Sequence, residues 1–170
     1  MRKPWTVCAA LLALLLALAA APACALDAPT DKVVLSITGK VGLRNVPDGV
    51  AFDMAMLERL PQRSFQTRTP WFPEPRKFTG VLLRDLLAAV GAQAGQRVNA
   101  QAINDYRADI PAEDWTDFDL LLAYRLDDAP MGVRDRGPLL LIYPFDANAK
   151  LRTAVHYSRA VWQVKALDVR

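Results

Sequence analysis

Cysteine occurs at only two positions of this 170-residue chain, Cys8 and Cys24, both near its start. Whatever residues 26–170 fold into must therefore hold together without a disulfide, a cysteine nucleophile or a thiolate metal ligand. Stability has to come from an apolar core, and the hydrophobic content of 52% can supply one.

The two cysteines also fall in a segment with its own logic. Arg2 and Lys3 form a short positive start, and an almost unbroken apolar run extends from Val7 to Ala21. The run is short for a bilayer span, and Ala23-Cys24-Ala25 places small residues at −3 and −1 before Leu26. Residues 1–25 read as a cleavable signal peptide, which predicts a periplasmic, not membrane-inserted protein. The alternative is a lipoprotein acylated at Cys24, against which stand Ala21 at −3 and Pro22 beside it.

Cleavage there leaves 145 of the 170 residues, the size of one domain, so residues 26–170 are expected to form a single unit. It also removes two of the 21 basic residues and no acid, leaving 19 against 18. The precursor pI near 9.0 is therefore no sign of a basic field, and nucleic acid is not an expected partner.

Strand and helix signals alternate along that unit. Val33–Ile37 is β-branched and ends near Gly39, which reads as a first strand. Asp53 is placed to cap a short helix to Leu60, which Pro61 stops. Residues 62–78 carry three prolines, basic residues and exposed-looking aromatics, and read as a long surface loop of the functional kind. Val81–Val90 reads as the clearest helix, with Leu82, Leu83, Leu86, Leu87 and Val90 at helical spacing and Gly91 at the end. Residues 98–102 and 106–110 read as a hairpin turning at Asn104-Asp105, and Pro111 opens one helical turn. Strands are expected over 120–124, 139–143 and 161–169, the nearly all-apolar 139–143 being central. The fold class is α+β, a mixed sheet with short helices.

The order of these segments resembles a known family. Phe78-Thr79-Gly80-Val81-Leu82-Leu83-Arg84-Asp85-Leu86-Leu87 is similar to the "W-x-G-V-x-L-x-D-L-L" segment of the sulfite-oxidase-type molybdopterin-binding domain. Asn104-Asp105-Tyr106 before Ile110-Pro111 resembles its "D-G-Y-x-x-x-(I/L)-P" segment. Leu121-Leu122-Ala123-Tyr124 resembles "L-L-A-Y", and residues 137–144 resemble "G-x-P-L-R-L-(I/V)-x-P". Val161-Trp162-Gln163-Val164 resembles the closing "K-W-(I/L)" strand, so the likeness covers about residues 50–169.

One departure stands out. Enzymes of that family carry a molybdenum-ligating cysteine between the first helix and the "G-V-x-L" helix. The same interval here holds Ser64-Phe65-Gln66-Thr67-Arg68-Thr69-Pro70-Trp71, whose hydroxyls are hard donors that stay protonated near neutral pH. An exported version without cysteine resembles the periplasmic pterin-binding regulators. That resemblance implies a pterin ligand, either a reduced pterin or a molybdopterin-like one, with no metal expected. It also implies a partner, the periplasmic region of a membrane protein with cyclic-di-GMP cyclase and phosphodiesterase domains. The alternative is a molybdopterin-dependent oxidoreductase of the sulfite oxidase type.

A pterin needs an aromatic plate, groups along its pyrimidine edge and donors toward its carbonyl. Trp71, held with Phe72 between Pro70 and Pro73, is either such a plate or a plug over the core. Trp115 has the same two readings, whereas Trp162 reads as core. Asn104, Asp105 and Tyr106 match the family's substrate-facing segment, though Asn104-Asp105 equally makes a turn. Arg68 lies in the slot of the missing cysteine, and Arg134 and Arg136 precede the apolar strand at its mouth. Both arginines are candidates for a ligand tail, the partner, or simple solubility. His156, the only histidine, has a structural or ligand-contacting role, since a metal site needs more donors. No catalytic residue is assigned, because Ser64 and Ser158 lack a G-x-S-x-G setting.

Overall fold

The structure, a computed structural model, describes residues 26–170. The proposed signal peptide, with Arg2, Lys3, Cys8 and Cys24, lies outside the described residues. No helix among the described residues is long and apolar enough to cross a membrane.

Ten strands and four short helices alternate: β1 (Leu35–Gly39), β2 (Val50–Phe52), α1 (Met54–Glu58), β3 (Gln62–Thr69) and β4 (Phe72–Leu82) come first. They are followed by α2 (Leu83–Ala89), β5 (Val98–Ala102), β6 (Arg107–Ile110), α3 (Ala112–Thr116), β7 (Leu121–Leu126) and β8 (Ala129–Pro130). β9 (Leu140–Ile142), α4 (Ala154–Arg159) and β10 (Val164–Val169) complete the chain. This is the expected α+β class, but with two sheets rather than one. The first runs β2-β1-β10-β5-β6, with β1 and β10 parallel; the second runs β3-β4-β7-β8, with β9 also pairing β7.

β9 joins the two sheets. Leu140–Ile142 is fully buried, pairs β7 along one edge, and on the other side Leu141 N donates to Val161 O at 2.9 Å. Val164 N, at the first residue of β10, donates to Leu139 O at 2.9 Å. The apolar run is thus central, as its composition predicts. At Gly80 the β4 and β7 backbones approach closely, since a Cβ there would overlap the Leu122 carbonyl oxygen on β7. The glycine of the "G-V-x-L" segment is a packing requirement.

Four expectations change. Residues 62–78 are not a loop but most of a long antiparallel hairpin, with Phe65 paired to Phe78 and Thr67 to Arg76. Phe65, Thr67 and Thr69 face inward while Ser64, Gln66 and Arg68 face solvent, so the alternation is real but written largely in polar residues. Pro73 and Pro75 fall where the register shifts, and β7 does not pair β4 before Phe78, so their missing donors break no ladder. The helix expected from Val81 starts at Leu83, because Val81 and Leu82 still pair with Leu122 and Leu121. The first strand begins at Leu35, two residues late. Finally, the closing strand is shorter than 161–169 and is preceded by α4, which Thr153 caps by accepting from His156 N.

Candidate functional site

Three segments meet at one end of the first sheet. The β5–β6 turn is held by Asn104, whose Oδ1 accepts from Tyr106 N at 3.2 Å, with Asp105 in the left-handed region at φ 65°. The Tyr106 hydroxyl donates to Ser158 O on α4 at 2.8 Å. Ile103 N donates to Gln163 O at 2.9 Å, which ties the turn to the segment leading into β10. Between these segments opens a cleft of about 290 Å³, lined by Asn104, Tyr106, Tyr157, Ser158, Trp162 and Gln163.

Aromatic rings form its floor. Trp162, 40% exposed, meets Trp71 at 5.3 Å between ring centroids and an interplanar angle of 68°. Trp71 also contacts Phe145 edge-on at 6.3 Å, and Phe145 contacts Tyr157 at 4.9 Å. The Arg136 guanidinium lies 4.4 Å over the Trp162 ring and 4.5 Å over Phe72. Two donors in this layer, Trp71 Nε1 and Arg136 Nε, are buried without a partner. Burial draws the Arg136 pKa down and the neighbouring Asp135 opposes that shift, yet a guanidinium stays charged.

Beyond Tyr157 lies a second cleft, of about 400 Å³, bordered by Arg68, Thr69, Pro70, Asp146 and Arg152. Asp146 is its knot: it accepts from Arg68 N at 2.8 Å and from the Arg152 guanidinium at 2.9 Å, while its own N–H donates to Thr67 Oγ1 at 3.0 Å. These bonds pin the hairpin tip to the 144–152 segment.

Behind α4 a buried polar cluster fixes the helix. Asp114, with a side chain only 5% exposed, accepts from the Tyr143 hydroxyl at 2.7 Å and from Arg159 at 3.0 Å. His156 Nε2 stands 3.9 Å from the same carboxylate, and its Nδ1 is 2.9 Å from Thr153 Oγ1. Burial first, then the bond to Asp114, pushes the Tyr143 pKa well above the ordinary phenol value.

The structure gathers some of the residues singled out from sequence and disperses others. Asn104 and Tyr106 line the first cleft, and Trp71 lies under it. Asp105 points to the outer rim, where Lys165 at 2.7 Å and Gln101 at 2.9 Å hold its carboxyl below the usual carboxylate range. Arg68 borders the second cleft. Arg134 is exposed on a single 3₁₀ turn over Val133–Asp135. Trp115 is 6% exposed and its Nε1 donates to Gln96 O at 3.2 Å, so it packs in the core and does not face either cleft. His156 faces Tyr143, Phe118 and Asp114, a structural position.

Trp162 was expected in the core and is instead the exposed floor of the cleft. It lies before β10 rather than within it, and Gln163, at φ 53°, turns the chain there. Tyr157 and Gln163 were not selected from sequence, and Arg136 was placed at the strand mouth with no hint of its stacking on Trp162. The Thr153 cap was the available signal for Tyr157, while no local pattern marks the Arg136–Trp162 stack, which joins residues 26 apart.

Comparison with known proteins agrees with this architecture. The family model described as "Oxidoreductase molybdopterin binding domain" matches residues 62–151, from the hairpin to just before α4. No curated protein sequence matches the chain. Among solved structures, the sulfane dehydrogenase SoxCD from Paracoccus pantotrophus superposes with a TM-score of 0.57 at 18% identity. That match covers 79% of this chain but 37% of SoxCD's, so the chain spans little more than a third of that protein's length. At such identity the likeness concerns the fold. The chain belongs to the oxidoreductase molybdopterin-binding domain family and has its sulfite-oxidase-like α+β fold, a scaffold for a pterin-type cofactor.

Proposed function

We propose that this chain is an exported pterin-binding module that works without a molybdenum ligand. Its occupancy is read by the periplasmic region of a membrane protein with cyclic-di-GMP cyclase and phosphodiesterase domains. The carrying observation is the donor chemistry of β3 and the turn after it. Residues 26–170 contain no cysteine. Thr67 and Thr69 in the corresponding slot already accept from Asp146 N and Phe72 N. Among the described residues no group of three or more histidine, cysteine or acidic side chains is placed to hold a metal ion.

The organic part of the cofactor meets a better match. Trp162 offers an indole to a flat ring, and Asn104 and Gln163 supply amide groups beside it. The unpartnered donors Trp71 Nε1 and Arg136 Nε lie in the layer beneath. When bound, the pterin supplies a planar heterocycle with a donor and acceptor edge, which this cleft is suited to hold.

Five exposed large apolar residues support a partner. Ile103, Tyr106, Val133, Val155 and Trp162 are all 40% exposed or more. Tyr106 and Trp162 line the cleft, while Ile103, Val133 and Val155 each share a hydrogen bond with Gln163 or Ser158, which also line it. The pattern of residues 1–25 supports export.

Family membership itself favours a second reading, a molybdopterin-dependent oxidoreductase of the sulfite oxidase type. Titration of the purified protein with tetrahydrobiopterin separates binding from its absence. Saturable quenching of indole fluorescence in the micromolar range is expected, because Trp162 and Trp71 are adjacent at the site. An unchanged spectrum up to millimolar ligand contradicts the module reading.

A further inference from the structure

Arg136 is the most unusual charge in the molecule. Its guanidinium is held between the Phe72 and Trp162 rings at 4.5 and 4.4 Å, and its Nε is buried without a partner. None of the ion pairs among the described residues includes it. The backbone fixes it there: Arg136 adopts φ 69°, its N–H donates to Val133 O at 3.3 Å, and its carbonyl accepts from Gln163 N at 2.9 Å. Closing the 3₁₀ turn in the left-handed region, with two backbone bonds, Arg136 has its side chain directed onto the aromatic layer beside the cleft.

We propose that Arg136 makes the cleft select its heterocycle by charge, taking a flat ring with an anionic substituent and rejecting the same ring with a cationic one. This rests on the pterin-binding reading and names the ligand class of that site. The guanidinium covers one face of the Trp162 indole and Trp71 meets the ring at 68°, so a ligand stacks on the part that the indole, 40% exposed, leaves open to the cleft. A ring in that position lies roughly 9 Å from the cation, with an indole rather than water between them. At an effective dielectric near 20, each unit of ligand charge changes affinity by roughly tenfold, less at high salt.

The other charges nearby do not cancel the effect. Asp105 and Lys165 neutralise one another at 2.7 Å on the rim. Arg107 and Arg134 are exposed and add positive charge, and Asp135, also exposed, is the one acid beside Arg136. The stack also bears on the ring itself, because a cation beneath the indole withdraws density from its open face and disfavours a second cation above it.

The test uses one ring with three substituents: 6-carboxypterin, 6-hydroxymethylpterin and 6-aminomethylpterin, titrated into the full protein at low ionic strength. The wild type binds them in that order, with a span of about 30-fold or more between the first and last. Arg136→Met and Arg136→Gln lose affinity for the uncharged probe through the lost stack. Their span collapses to within about threefold, whereas Arg136→Lys restores the order and raised salt narrows it. A neutral variant that keeps the wild-type span overturns the proposal while leaving the pterin reading intact. A wild type that binds none of the three overturns both.

Discussion

Asp114→Ala lowers the unfolding free energy by about 3–5 kcal/mol, the usual effect of removing one partner from a buried ion pair. Its carboxylate is 5% exposed and takes the Tyr143 hydroxyl at 2.7 Å and Arg159 at 3.0 Å. Alanine leaves the buried Tyr143 phenol without its acceptor and takes the charge partner from the partly exposed Arg159 guanidinium. The loss spreads to function, since α4 presents Tyr157 and Ser158 to the clefts. Urea unfolding monitored by circular dichroism gives the number, and a loss below about 1 kcal/mol contradicts the assignment. The same cluster fixes the alkaline limb of stability. Tyr143 is raised in the folded state, so its contribution is complete below the unfolded phenol pKa near 10 and is lost as pH rises above it. Tyr143→Phe flattens that limb.

Trp162→Ala weakens tetrahydrobiopterin binding by about 10- to 100-fold, the range that stacking of a ring on an aromatic side chain supplies. The side chain is 40% exposed and lies outside the main core, so the variant folds, and the loss combines the missing plate with the uncovering of Trp71 and Arg136. Trp162→Phe, which keeps a smaller plate, retains part of the affinity. The comparison residue is Trp115, buried against Gln96. Trp115→Phe changes stability and leaves the titration unaltered. Equal affinity in wild type and Trp162→Ala would place the ligand elsewhere, the second cleft at Arg68 and Arg152 being the next candidate.

The parts of the fold legible in the sequence are those where periodicity is written in apolar residues. Leu83, Leu86 and Leu87 mark α2 because all three are buried on one stripe, and Leu139–Tyr143 marks the central strand because it is apolar but for the Tyr143 hydroxyl. The β3–β4 hairpin escaped because its inward residues include the polar Thr67 and Thr69, whose hydroxyls accept from Asp146 N and Phe72 N, and because its prolines sit where the ladder is open. α4 escaped because it has no buried residue, so hydrophobic spacing had nothing to register.

The site followed the same division. The Asn104–Tyr106 turn was visible through local turn chemistry and family resemblance, and it borders the cleft. Trp162 and Arg136 come together only through tertiary structure, by way of Gln163 bonds to Arg136 O and Val133 O. A tryptophan before a strand gives no hint of which face it will show. Asp105 was the reverse case: residue type suggested a ligand carboxylate, and the folded turn commits it to Lys165.

The central claim is that this family scaffold holds a pterin without a protein-ligated metal. The most direct measurement is joint metal and pterin analysis of the protein isolated from its native host. The account predicts a pterin near one per chain after denaturation, with molybdenum far below one atom per chain. One molybdenum atom per chain, accompanied by oxidoreductase turnover, would contradict it.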